Sequence, residues 1–187
     1  MYYTATTVSP IGTLTLASNG EELVGLWIAG QKYHGGRDQQ NHASILTEAL
    51  PAPLEQPPFD AAVAWLACYF AGEKPSITKL PLAPVGSEFQ LKVWDLLRQI
   101  PYGELTTYGA LARQLAAASG KLQIASQAVG GAVGRNQLSI MIPCHRVVGA
   151  NGSLVGYGGG IQTKIKLLEL EGVDLTDYFV PKTGTAL

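Results

Sequence analysis

Ile142-Pro143-Cys144-His145-Arg146-Val147-Val148-Gly149 sets a thiol, a base and a guanidinium inside an apolar run. A buried charge needs partners, and a thiol beside a potential base is a candidate nucleophile. The same residues have a bland reading, in which Cys144 is a small buried hydrophobe and Arg146 ties down nearby carbonyls. On an extended segment the Cys144 and His145 side chains point to opposite faces, so a turn or a bridging water must connect them. A thiol of ordinary pKa is only slightly ionised near neutrality, and His145 is the local proton acceptor. A histidine base usually has its far ring nitrogen held by a carboxylate or carbonyl. The helix expected over residues 162–171 offers Glu169 and Glu171, both unfavourable to the C-terminal end of the helix dipole, and Gly172 follows as a stop. Either acid is a candidate partner, and both are also readable as solvated surface charges.

Upstream of this stretch the chain reads as helices with interruptions. Ser87-Glu88-Phe89-Gln90 has the capping-box pattern, and Phe89, Val93, Leu96, Leu97 and Ile100 follow on one face until Pro101 ends the helix. A second helix is expected over Thr106–Ala118 and a third, after Gly120, over Leu122–Val133, a pairing that suggests a helix-turn-helix. The third helix contains Ser126-Gln127-Ala128-Val129-Gly130-Gly131-Ala132-Val133-Gly134, with almost no bulk. Each interior glycine costs about 0.5–1 kcal/mol relative to alanine. Such a helix packs closely against another helix or lies against a nucleic-acid backbone, and Arg135 and Asn136 immediately after it favour the second reading. Downstream of Gly149, Asn151-Gly152 suggests a hairpin turn. The glycines around Tyr157 form a loop whose amides can approach a flat ligand; no Lys-Ser/Thr follows, so it is not a P-loop.

The first thirty residues read as a β-meander: strands at Tyr3–Val8, Thr13–Ala17 and Leu23–Ile28, turn residues at Ser9–Gly12, and an Asn19-Gly20 hairpin signal. Residues 30–58 read as loop with one short helix at Ala43–Leu50, Phe59–Ala71 as a helix stopped by Gly72, and Lys74–Pro84, with its prolines, as a linker. The expected architecture is α/β (α+β) in two domains. Residues 1–84 form a small antiparallel sheet with a helix, residues 85–174 a mostly helical domain with a helix-turn-helix, and residues 175–187 a tail.

Composition narrows the function classes. The chain of 187 residues is 47% hydrophobic and only 14% charged, which describes a compact folded protein. Cys68 and Cys144 lie far apart, so a disulfide framework is not expected and reduced thiols in the cytoplasm fit better. No membrane span or secretory leader is visible. Net charge is −1, but residues 85–187 carry nine Lys/Arg against seven Asp/Glu, which makes them the plausible nucleic-acid surface. Cys68, His34 and His42 have no paired spacing, so no metal is expected.

Pro143-Cys144-His145-Arg146-Val147-Val148-Gly149 resembles the active-site signature of the methylated-DNA–protein-cysteine methyltransferases, the O6-alkylguanine-DNA alkyltransferases. Ile100-Pro101-Tyr102-Gly103-Glu104, Thr107-Tyr108, Ala128–Ala132, Asn136, Gly156-Tyr157, Gly159-Gly160, Leu167-Leu168 and Glu171-Gly172 follow that family's order and spacing. The resemblance is strong over residues 85–173 and general over the first 84. It implies that Cys144 accepts the alkyl group, that His145 takes the thiol proton through a water, and that Glu171 rather than Glu169 orients His145. It also implies that Tyr108 donates to the departing guanine and that Asn136 holds the active-site turn. Val147, Tyr157, Gly158 and Gly159 would line the base pocket. Thr107, Ser126, Gln127, Ala128, Gly130, Gly131 and Arg135 would face the minor groove of double-stranded DNA carrying alkylated bases, from which the target base is flipped. No cofactor is implied, and the protein would act once, as a monomer.

The sequence departs from the family pattern at two points. Gln127 stands where the family commonly has an arginine that fills the gap left by the flipped base, and Gly158 where some members carry serine. Weaker DNA binding is expected from the first. Two rival readings remain. A cysteine hydrolase would usually bring its histidine from far along the chain, which argues against one here. A module that binds alkylated bases without transfer would lack the cysteine.

Overall fold

The computed structural model describes residues 1–36, 44–47 and 49–182. The α+β, two-domain class is the one observed. One compact unit comprises Met1–Ser87 together with Gln137–Met141, and the other comprises Glu88–Asn136 and the chain from Ile142 onward.

In the first unit, strands β1 (Tyr3–Ser9), β2 (Gly12–Ser18) and β3 (Leu23–Ile28) form the expected meander, antiparallel throughout. Asn19-Gly20 lies in the second connection, but as part of a longer loop in which Asn19 Oδ1 accepts from the amides of Glu21 and Glu22. The sheet is not purely antiparallel. A short strand β4 (Leu50–Pro51) pairs parallel with β1, giving the order β3-β2-β1-β4. It replaces part of the helix expected at Ala43–Leu50. The Leu50 amide is recruited by Tyr2 O, and Ile45–Thr47 makes only one 3₁₀ turn; residues 43 and 48 lie outside the described set. His42 also lies outside it.

Every residue of β3 is buried, and the Trp27 indole covers Gly25 where a Cβ would collide with it. Ala17, Val24, Trp27 and Ile45 form the centre of this core. Helix α1 (Phe59–Phe70) buries Phe59, Ala62, Leu66 and Tyr69 at helical spacing and closes with a Schellman turn. In that turn the Gly72 amide reaches Tyr69 O and the Glu73 amide reaches Cys68 O. The Lys74–Pro84 stretch is not a free linker. Leu23 donates to Pro81 O and Ala83 donates back to Leu23 O, so residues 81–83 are bonded alongside β3. Leu138 makes a second parallel bridge to Leu26, which explains why Gln137–Met141 belongs to this unit.

The second unit packs α2 (Glu88–Leu97), α3 (Tyr108–Ala118) and α4 (Ser126–Gly134) on one another. The Trp94 indole donates to Ala132 O at 2.9 Å, which ties α2 to the main chain of α4. Helix α4 starts later than the sequence predicts. The chain leaves α3 through a turn at Gly120, Leu122 is fully exposed, and Ala125 is extended, so nothing holds residues 122–125 in a helix. Strands β5 (Thr106–Thr107) and β6 (Val147–Val148) pair in parallel, which brings the start of α3 beside the Cys144 turn. Helix α5 (Ile161–Leu170) packs against that turn, and Leu167 and Leu168 are fully buried. Each such leucine contributes roughly 1.5–3 kcal/mol. Asn151-Gly152 turns the chain, but no hairpin follows. Leu154 instead donates to Phe179 O, and Phe179 to Gly152 O, so this part of the expected tail is docked. Among the described residues no helix is long and apolar enough to cross a membrane.

Candidate active site

Cys144–Arg146 forms a single 3₁₀ turn, so the thiol and the imidazole are joined by a turn rather than spread along a strand. All three side chains are buried. Asn136, the second residue beyond α4, donates through Nδ2 to Ile142 O at 2.7 Å and to Cys144 Sγ at 3.1 Å. One amide group therefore holds both the approach to the turn and the sulfur. Burial pushes the Cys144 thiol up, while the Asn136 hydrogen bond and the charge of Lys164 act against that rise.

Glu171 is the acid that meets His145. It is the C-cap residue of α5, and the turn around it is a second Schellman motif: the Gly172 amide reaches Glu169 O and the Val173 amide reaches Leu168 O. Gly172 has φ +76°, a backbone conformation that favours glycine. This turn explains how an acid comes to sit at an unfavourable helix end: its charge is met by partners from outside the helix. His145 Nε2 lies 2.7 Å from Oε1, which also accepts from Arg146 Nη2 at 3.0 Å. Oε2 accepts from Arg146 Nε at 2.8 Å and from the Gly103 amide at 3.1 Å. Burial alone would raise the Glu171 carboxyl, but the hydrogen bonds and charges of His145 and Arg146 outweigh it and hold the group well below the usual carboxylate range. Desolvation lowers His145 despite the carboxylate beside it. The ring is therefore neutral near pH 7. With an ionised Glu171 as acceptor, Nε2 carries the ring proton and Nδ1 is the basic nitrogen.

Arg146 does tie down a carbonyl, donating from Nη1 to Ile100 O at 2.6 Å, but its main partner is Glu171. The Tyr102 ring lies 5.7 Å from its guanidinium, and the Tyr102 hydroxyl donates to Leu170 O. Tyr102 and Gly103 thus wrap the end of α5. The sequence marks both only as turn residues after Pro101, in a stretch that follows the family's order, and carries no local sign of their contact with α5.

Tyr108 opens α3 and donates to Val155 O at 3.2 Å. Burial and the neighbouring Cys144 keep its phenol protonated well above its ordinary range. Tyr157 packs edge-on against the His145 ring, with centroids 6.3 Å apart, and Gly158 and Gly159 form the tight turn that follows. Val147 is fully buried in β6. Thr107 caps α3, its hydroxyl accepting from the Ala110 amide at 3.1 Å. Ser126, Gln127 and Ala128 are exposed on α4, Arg135 is exposed just beyond its end, and Gly130 and Gly131 are half-buried. A Cβ at Gly131 would meet only the Arg135 guanidinium at 3.5 Å, so packing within the protein does not require glycine there. At Gly130 the Tyr108 ring lies at ordinary contact distance. A groove of about 470 Å³ beside the start of α4 is lined by Arg113, Lys121 and Ser126 among others. Among the described residues no cluster suits a metal ion, and both cysteines are free.

Residues 88–173 match 6-O-methylguanine DNA methyltransferase, DNA binding domain, and residues 1–84 match the ribonuclease-like domain of the same enzyme. The chain belongs to the 6-O-methylguanine DNA methyltransferase family. It is 43% identical over 171 residues to the methylated-DNA--protein-cysteine methyltransferase of Mycobacterium tuberculosis (strain ATCC 25618 / H37Rv), covering 91% of this chain and 93% of that protein. The Mycobacterium leprae (strain TN) protein of the same name is 44% identical over 163 residues, covering 87% of this chain and 88% of that one. The structure is similar to that of Mycobacterium tuberculosis OGT in complex with DNA, with TM-score 0.75 and 43% identity, covering 91% and 92% of the two chains.

Proposed function

We propose that Cys144 accepts an alkyl group from the O6 position of guanine in double-stranded DNA, repairing the base in a single turnover, as a methylated-DNA–protein-cysteine methyltransferase does. The observation that carries this reading is Cys144 Sγ held by Asn136, one residue from a neutral His145 backed by ionised Glu171. His145 Nδ1 takes the thiol proton through a water. The sulfur then attacks the alkyl carbon in line; an S–C bond forms, the O6–C bond breaks, and its electron pair leaves on guanine. Tyr108, protonated throughout the physiological range, supplies a hydrogen bond or its proton to that anion. The thioether has no route back to thiol, so the chain acts once, without a cofactor.

A base inside a duplex is out of reach, so the substrate nucleotide is flipped into the pocket. Val147, Tyr157, Gly158 and Gly159 line that pocket. The face of α4 carrying Ser126, Gln127, Ala128, Gly130 and Gly131 enters the minor groove, with Thr107 at the start of α3 and Arg135 near the phosphates. The lack of internal packing at Gly131 supports this reading, because a face kept clear of side chains suits close approach of a backbone. Gln127 hydrogen-bonds to the orphaned partner base without adding charge. One chain holds every named group, so it acts as a monomer, and its reduced thiols suit the cytoplasm.

The test is nucleoside analysis of duplex DNA carrying one O6-methylguanine after incubation with the protein. The lesion is expected to disappear mole for mole with added chain and to persist with Cys144→Ala. A lesion that is bound tightly but never lost would make the chain a binding module instead.

A further inference from the structure

The groove beside the start of α4 has no part in the chemistry proposed for Cys144, yet its lining is charged. One side is a stripe of α3 running from Gly109 to Ala117, and the other is the connection from Lys121 to Ser126. No acid lines it, while Arg113 and Lys121 both do. Both cations are exposed, and among the described residues neither forms an ion pair. The field of Lys121 reaches Glu88, but that carboxylate is already bonded to Lys92 at 2.7 Å.

One end of the groove gathers donors around an open point. At the position a Cβ would take on Gly109, Arg113 Nη1 lies 3.6 Å away, Ser126 Oγ 3.7 Å and Thr107 Oγ1 4.0 Å. The Thr107 oxygen accepts from the Ala110 amide, which leaves the hydroxyl proton to point elsewhere. A phosphate oxygen resting on Gly109 would therefore sit among a guanidinium and two hydroxyls, with no side chain in its way. From there the α3 side runs about 12 Å at 1.5 Å per residue. One DNA strand rises roughly 3.4 Å per nucleotide, so the groove has room for about three successive phosphates. Leu122 stands fully exposed on its rim. An aliphatic tip beside two cations suits a strand of alternating sugars and phosphates better than a small free anion.

We propose that this groove seats the phosphodiester backbone of one strand of duplex DNA beside the lesion, with one phosphate held at Gly109 by Arg113, Thr107 and Ser126 and a later one met by Lys121. That role rests on the reading of the chain as a DNA alkyltransferase. It extends the contact from the α4 face to a second, electrostatic one that fixes register without reading sequence.

The experiment uses the full chain carrying Cys144→Ala, so that binding is measured without transfer, and a fluorescent duplex with one O6-methylguanine. Arg113→Gln and Lys121→Gln are each expected to weaken binding roughly 10-fold near 0.05 M salt and to flatten the slope of log affinity against log salt by about 0.9. Unmodified duplex is expected to lose as much, because its phosphates are the same. A scan that replaces single phosphates by uncharged methylphosphonates then locates the contact. One flanking position is expected at which the parent loses affinity and Arg113→Gln loses nothing further. With Cys144 intact, both variants are expected to transfer at the parent rate on saturating duplex. Variants with the parent's slope, or losses that couple to no single phosphate, would overturn the role of the groove and leave the alkyltransferase reading standing. A parent that binds no duplex, with or without the lesion, would overturn the DNA reading and the groove's role with it.

Discussion

Around Glu171 a carboxylate, an imidazole and a guanidinium are buried together and bonded, whereas the exposed face of α4 carries little bulk beyond Gln127. In the first region each group is held by the others, and removing one leaves a buried charge or donor behind. In the second there is little to remove, and a change alters only what approaches from outside. On the proposed reading, chemistry and stability are therefore coupled around Glu171, while on α4 stability and DNA affinity separate.

The largest expected effect is at Glu171. Glu171→Gln keeps the size of the side chain but leaves Arg146 without its counter-ion and His145 without its orienting carboxylate. Denaturant unfolding is expected to show a loss of about 3–5 kcal/mol, and single-turnover transfer is expected to collapse at a temperature where the variant is still folded. A variant that transfers at the parent rate would break the contrast.

The same network predicts a pH dependence. Glu171 is ionised in the folded chain well below the usual carboxylate range and returns to about 4.3 on unfolding. Its contribution is complete above the unfolded value and is lost as pH falls through that value toward the folded one. The gap in stability between the parent and Glu171→Gln is therefore expected to narrow steadily below about pH 4. A gap that stays constant to low pH would mean that the carboxylate charge is not what the network holds.

On α4 the effects are smaller and of another kind. Arg135→Ala is expected to leave unfolding unchanged and to flatten the dependence of log affinity on log salt by about one unit, if its guanidinium meets a phosphate. Gly131→Ala sharpens the comparison further. With only the flexible Arg135 side chain near the new methyl, the fold is expected to gain about 0.5–1 kcal/mol while DNA affinity falls. A gain in both would place the glycine outside the DNA-facing surface.

Much of the site is legible along the chain because it is local. Cys144, His145 and Arg146 are consecutive, and Gly172 marks the helix end that places Glu171. The choice between Glu169 and Glu171 came from family spacing, and its physical basis, the C-cap position in a Schellman turn, is seen only in three dimensions. Lys164 lies three and four residues before Leu167 and Leu168, on the apolar stripe, so the helical spacing itself marks it as a buried lysine. Gly103 meets Glu171 and Tyr102 meets Leu170, each from 68 residues away, and no local pattern marks such contacts. The same is true of β4, of the strand-like Pro81–Ala83 segment and of the Leu26–Leu138 bridge, which are non-local pairings recruited by free sheet edges. The late start of α4 is not legible in the sequence, because helical spacing continues through residues 122–125 while Leu122 finds nothing to pack against.

On the proposed function, Cys144 is consumed by the lesion. Intact-protein mass, measured after incubation with excess duplex carrying one O6-methylguanine, tests it most directly. A gain of one methyl group per chain is expected, saturating there, located on Cys144 by peptide mapping and absent in Cys144→Ala. An unchanged mass with the lesion still in the DNA, or a methyl group found on Cys68, would contradict it.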